Sequence, residues 1–86
     1  MVTEPLVDVV AVRAVGGHLL ELAYPHGQVR LLDAEPLLSP RAYDAVRADH
    51  AAFAAVRVNP GGALVWPAAP GIGIPPGMVY LMSEPT

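Results

Sequence analysis

Three turn signals constrain this chain more than any other feature. Gly16-Gly17, Tyr24-Pro25-His26-Gly27 and Asn59-Pro60-Gly61-Gly62 punctuate its apolar runs, and each favours reversal of the chain. The run Leu6 to Val15 is rich in valine, whose branched Cβ suits the extended pleat, and it reads as a strand. His18 to Tyr24 follows as a half-buried strand, with Leu20, Leu22 and Tyr24 on one face and Glu21 on the other. Pro25 presets a type I turn, and Gly27 suits the left-handed position that closes the hairpin as a bulge. Val29 to Leu32 is then the return strand. Three strands in series predict an antiparallel meander, about the minimum for an independent sheet.

After Asp33 the pattern becomes helical. Ala34 to Leu38 suggests one turn with Leu37 and Leu38 inward, and Ser39-Pro40 resembles a helix start, with Ser39 as N-cap and Pro40 at the first helical position. Arg41 to Asp49 places Tyr43 and Val46 on one face with Arg41, Asp44 and Arg47 outside. Asp49 is positioned to cap a second short helix anchored by Phe53. The two pieces form one helical layer over the sheet.

The glycines of Asn59-Pro60-Gly61-Gly62 invite a phosphate-loop reading, but such a loop must lead from a strand into a helix. Both flanks here, Val56 to Val58 and Ala63 to Trp66, read as strand. Pro at the second turn position and Gly at the third predict a type II hairpin turn. The remainder, Pro67 to Thr86, holds five prolines, three glycines and one charge without periodicity. It reads as an extended cover strip over residues 67–77, with Ile72, Ile74, Met78, Val79 and Tyr80 packing on the core and residues 83–86 frayed. In Gly71-Ile72-Gly73 the third glycine of a dinucleotide site is misplaced, and no helix is expected to follow. The expectation is an α+β fold: a small antiparallel sheet, made of a three-strand meander plus a C-terminal hairpin, with a short helical layer on one face, all in a single domain over residues 1–82.

An 86-residue chain has a thin core. It has no cysteine, hence no disulfide, thiolate nucleophile or cysteine-based zinc site. Hydrophobic residues make up 53% and charged residues 15%, so either an apolar patch is exposed to a partner or the many alanines inflate the figure. Net charge is −3, and the basic residues are five scattered arginines with no lysine, which argues against a phosphate-binding stripe. Glu4 and Asp8 occupy the place of a signal peptide's positive charge, and the first apolar run is broken by Asp8 and Arg13. A cytoplasmic protein without membrane contact is expected.

Catalytic constellations are not legible. His18, His26 and His50 fall at a strand start, a hairpin tip and a helical segment, without ligand-pair spacing, so no metal is expected. Ser39 and Ser83 lack the setting of a nucleophile with an oriented histidine. Asp33 with Glu35, and Asp44 with Asp49, do not form an acid–base pair. No catalytic residue, cofactor or enzymatic activity is expected. Arg13, Arg30 and Arg57 each fall in a predicted strand and could line one sheet face as an interaction surface; a merely solvated face is the competing reading.

The order of these landmarks resembles an uncharacterised bacterial family, domain of unknown function 2442, over roughly residues 6–80. Gly27 matches the family's hairpin glycine, Asp33 the acid closing the third strand, and Phe53, Val56 and Val58 its aromatic–valine run. Trp66-Pro67 and Tyr80 match its C-terminal signature. After Trp-Pro the family reads Asn-Gly-Ala-Asp, whereas this chain has Ala-Ala-Pro-Gly-Ile-Gly and lacks the acid. The resemblance implies a small α+β domain whose relatives are encoded beside a small partner and are suspected antitoxins of toxin–antitoxin pairs. Some carry a C-terminal helix-turn-helix domain; with six residues after Tyr80, none is expected here, nor direct nucleic-acid binding. The leading expectation is therefore a protein-interaction module, antitoxin-like, that masks a small protein partner. The alternatives are a self-associating homodimeric scaffold and, third, a small-molecule binder or enzyme with a pocket under the Pro/Gly-rich strip.

Overall fold

The computed structural model describes residues 9–85, with His26 represented by its backbone, so Leu6 to Asp8 of the expected first strand and Thr86 lie outside the described residues. The fold is α+β, as expected. Strands β1 (Ala11–Gly16), β2 (Leu19–Ala23) and β3 (Val29–Asp33) form the meander, and β7 (Glu84–Pro85) adds antiparallel to β3, giving the order β1-β2-β3-β7. A second antiparallel sheet contains β4 (Arg57–Val58), β5 (Leu64–Val65) and β6 (Gly73–Ile74) in that order. Between the sheets in sequence lie α1 (Asp44–Ala48) and α2 (His50–Ala54), preceded by 3-10 turns; α3 (Pro76–Met82) follows β6.

Both Pro-containing hairpins use the same loop. The N–H of Tyr24 donates to the carbonyl of Gln28 at 2.8 Å, and that of Asn59 to the carbonyl of Ala63 at 2.9 Å. Gly27 (φ 79°) and Gly62 (φ 87°) take the left-handed position just before each closing residue. The second loop is thus a type I turn with a bulge, not the type II turn expected from Gly61. Asn59 decides this: its Oδ1 accepts from the N–H groups of Gly61 (2.9 Å) and Ala63 (3.0 Å), winding the loop around the side chain.

Asp49 caps α2 as expected, its Oδ1 accepting from the Ala51 N–H at 3.0 Å. Ser39 does not cap. Its backbone is in the right-handed helical region (φ −68°, ψ −29°), ending one 3-10 turn, whereas an N-cap needs an extended conformation. The cover strip is also more structured than expected. It contains β6 and α3, with Pro76 at a helix start where its missing N–H costs nothing. Residues 83–85 are not frayed: Ser83 is buried, and Glu84 and Pro85 pair with Leu31 and Arg30.

The core lies on one face of the four-stranded sheet. Leu20, Leu22, Tyr24 and Leu32 project into it and meet Leu38, Tyr43, Val46 and Phe53 from the helical layer. The second sheet contributes Leu64 and Ile74, with Val58 beside them, and α3 contributes Val79. Trp66 anchors the centre: its ring meets Tyr43 edge-on at 5.7 Å and stacks near Phe53 at 6.1 Å. Its indole N–H donates to the Phe53 carbonyl at 2.9 Å, so a large apolar side chain is buried without orphaning its polar atom.

Candidate functional sites

Strand register separates the three arginines expected to share a face. Arg13, Glu21, Leu31 and Glu84 stand side by side across the four strands on the outer face. The next row, Val12, Leu22, Arg30 and Pro85, belongs to the core face. Arg57 lies in the other sheet. Arg13 is bound to Glu21 at 2.7 Å, and that partnership raises its pKa.

Arg30 turns inward to close the C-terminal end of α3. Its Nε donates to Ser83 Oγ at 2.6 Å, and its Nη2 donates to the carbonyls of Ser83 (2.9 Å) and Tyr80 (3.4 Å). The guanidinium carbon stands 4.2 Å from the centroid of the Tyr80 ring. A cation at the terminal carbonyls of a helix is favourably placed. Tyr80 in turn meets Tyr24 edge-on at 5.6 Å.

The other residues of the expected signature hold turns and core. Gly27 closes the hairpin, and Asp33 ends β3 with its carboxylate accepting from the Glu35 N–H at 3.1 Å. Phe53, Val56 and Trp66 are buried, Val58 is half-buried, and Pro67 is exposed. His18 packs edge-on against Phe53 at 5.1 Å, and His50 is exposed. Among the described residues, no group of three or more His, Asp or Glu side chains is arranged to hold a metal ion. None of the described helices is long and apolar enough to cross a membrane.

Two surfaces stand out. The first lies on the outer face of the four-stranded sheet, where Leu19, Leu31 and Met82 join Asp33 and Glu84 around a hollow of about 270 Å³, with Pro85 of the neighbouring row at its edge. Met82 extends it onto α3, where Met78, Leu81 and Met82 recur at helical spacing and all are exposed, Leu81 by 82%. This surface was implicit in the strand alternation: turning Leu20 and Leu22 inward forces Leu19 and Leu31 outward. Met82 and Glu84 join it only because α3 and β7 dock there.

The second is a cleft of about 670 Å³ over the second sheet. Its floor is the register row Arg57, Val65 and Gly73, opposite the core row Val58, Leu64 and Ile74. Pro67, Pro70, Ile72, Pro75 and Pro76 wall it. A Cβ on Gly73 would stand 2.9 Å from Val65 Cγ1 and 3.0 Å from the Leu64 carbonyl, so the missing side chain permits the close packing of β5 on β6.

No protein-family model, curated protein or solved structure matches the chain.

Proposed function

We propose that the chain is a small, non-catalytic interaction module that covers a small protein partner with the outer face of its four-stranded sheet. The observation that carries this reading is the hollow formed by Leu19, Leu31 and Met82, continued by Leu81 and Met78. An apolar strip on so small a domain is a docking surface. Asp33 and Glu84 on its rim favour a basic partner. The resemblance to domain of unknown function 2442 supports an antitoxin-like role, the partner being a toxin encoded alongside, in the cytoplasm.

Direct nucleic-acid binding is not part of this reading, because the arginines are spent or dispersed: Arg13 on Glu21, Arg47 on Asp44 and the Leu38 carbonyl, Arg30 on α3. Self-association into a homodimeric scaffold is the competing reading. It is weakened by the rim, since a face carrying Asp33 and Glu84 meets its own copy with like charges.

The test is native mass spectrometry of the tagged chain expressed with its flanking genes. A heteromer with a small basic protein, lost in the Leu31→Lys variant, supports the proposal. A homo-oligomer alone, unaffected by that substitution, overturns it.

A further inference from the structure

The cleft over the second sheet has a one-sided polarity that neither the core nor the docking face explains. Arg57 and Asn59 stand two positions apart on the strand run, which brings both to the cleft side while Val58 points to the core. The Arg57 guanidinium has no hydrogen-bond or ion-pair partner among the described residues. Asn59 Oδ1 accepts from Gly61 and Ala63, which occupies both of its lone-pair positions and leaves the amide NH2 free to donate. Trp66, also in the lining, has already spent its N–H on the Phe53 carbonyl. Among the described residues, no Asp or Glu lines the cleft. The side-chain groups left to a ligand are therefore all donors, one of them a permanent cation, beside walls of proline, valine and isoleucine. In a chain of net charge −3, a cationic site with no acid among its described lining residues is a selective feature.

We propose that this cleft binds a small ligand carrying a carboxylate on an apolar body, the carboxylate held by Arg57 and Asn59 and the body lying on Val65 and Ile72 between the prolines. The volume falls within the ~300–1,000 Å³ of small-molecule sites, and the guanidinium fork matches the two oxygens of a carboxylate. Proline walls lose little conformational entropy when a ligand seats against them. The floor requires Gly73, because a side chain there collides with Val65.

Amide chemical shifts of the 15N-labelled chain, titrated with phenylacetate, 2-phenylethanol and phenethylamine, test the proposal. Saturable shifts at Ala63, Val65, Gly71 and Gly73 are expected with phenylacetate, with affinity at least tenfold above the alcohol and with the amine weaker still. Arg57→Gln should reduce phenylacetate to the level of the alcohol. Asn59→Asp keeps a carboxylate oxygen for the two turn hydrogen bonds while adding negative charge, and should also reduce phenylacetate binding at least tenfold. Equal affinities for the three probes, no saturable shifts, shifts centred elsewhere, or unchanged binding in both dispersed, folded variants would overturn it.

Discussion

The Arg30 guanidinium joins the core face of β3 to Ser83, 53 residues later, through its Nε to the serine hydroxyl and its Nη2 to the serine carbonyl. These are charge-assisted bonds in a partly buried site, reinforced by the Tyr80 ring. Arg30→Ala should cost about 2 kcal/mol of global stability, read as a lower urea midpoint. Hydrogen exchange should locate the loss: the amides of Val79 to Glu84 lose protection first, while those of β1 and β2 keep theirs. Arg30→Lys should recover little, because one ammonium cannot reproduce the planar fork over a ring.

That clasp also marks where sequence reasoning succeeds and fails. Gly27, Asp49 and Phe53 were legible because each acts within a few residues of itself: a loop glycine, a cap two residues from its N–H, an anchor on a short helix. Arg30 was not. Its alternation within β3 is visible, but only pairing with β2 puts it in the row of Leu22 and not that of Glu21. The seven residues of α3 complete about two turns, too few for a 3.6-residue period to stand out, and Pro76 with Gly77 reads first as loop. Ser83 reads as frayed from the sequence because what holds it is a distant arginine. For the cleft, the cover strip and Arg57 are both visible in the sequence, but the hairpin that puts Arg57 beneath the strip is a tertiary fact.

Among the described residues, the buried Tyr24 hydroxyl makes no hydrogen bond of good geometry, although Ser83 stands close to it. Burial raises its pKa, outweighing the opposing effects of Arg30 and Ser83, and burial alone raises that of Tyr43. A folded state that holds these protons more tightly than the unfolded one is fully stabilised below the ordinary tyrosine pKa of about 10 and loses stability as pH rises beyond it. Urea midpoints should therefore fall steeply above about pH 10. Tyr24→Phe should flatten that fall and, by removing an unpartnered polar atom, leave neutral-pH stability unchanged or higher by up to about 1 kcal/mol.

Two glycines should fail for different reasons. Gly27 faces open space at φ +79°, so Gly27→Ala incurs only backbone strain of about 1 kcal/mol, and Gly27→Asn less. Gly73 has no such φ but no room either, and Gly73→Ala should cost about 1–3 kcal/mol as β5 and β6 are pushed apart. Thermal melts of the three variants, ordered asparagine, alanine at 27, alanine at 73, check this.

Leu31 sits on the outer face between Glu21 and Glu84. A lysine there gains two acidic neighbours and exposes no new apolar surface, so Leu31→Lys should change stability by less than about 0.5 kcal/mol. If the outer face docks a basic protein, the same variant should show at least a hundredfold weaker capture of it by titration calorimetry.

The pairing of Leu31 with Glu84 also sets a time order on display of the outer face. At a ribosomal rate of about 5–20 residues per second, a nascent chain holds the edge of β3 open for roughly 3–10 s before β7 exists. Met82 and Glu84, which finish the hollow, arrive at the end of that wait. A product truncated before them would carry the meander and the helical layer yet be blind to whatever the hollow grips. Recognition by this face would thus report that synthesis had run through Glu84.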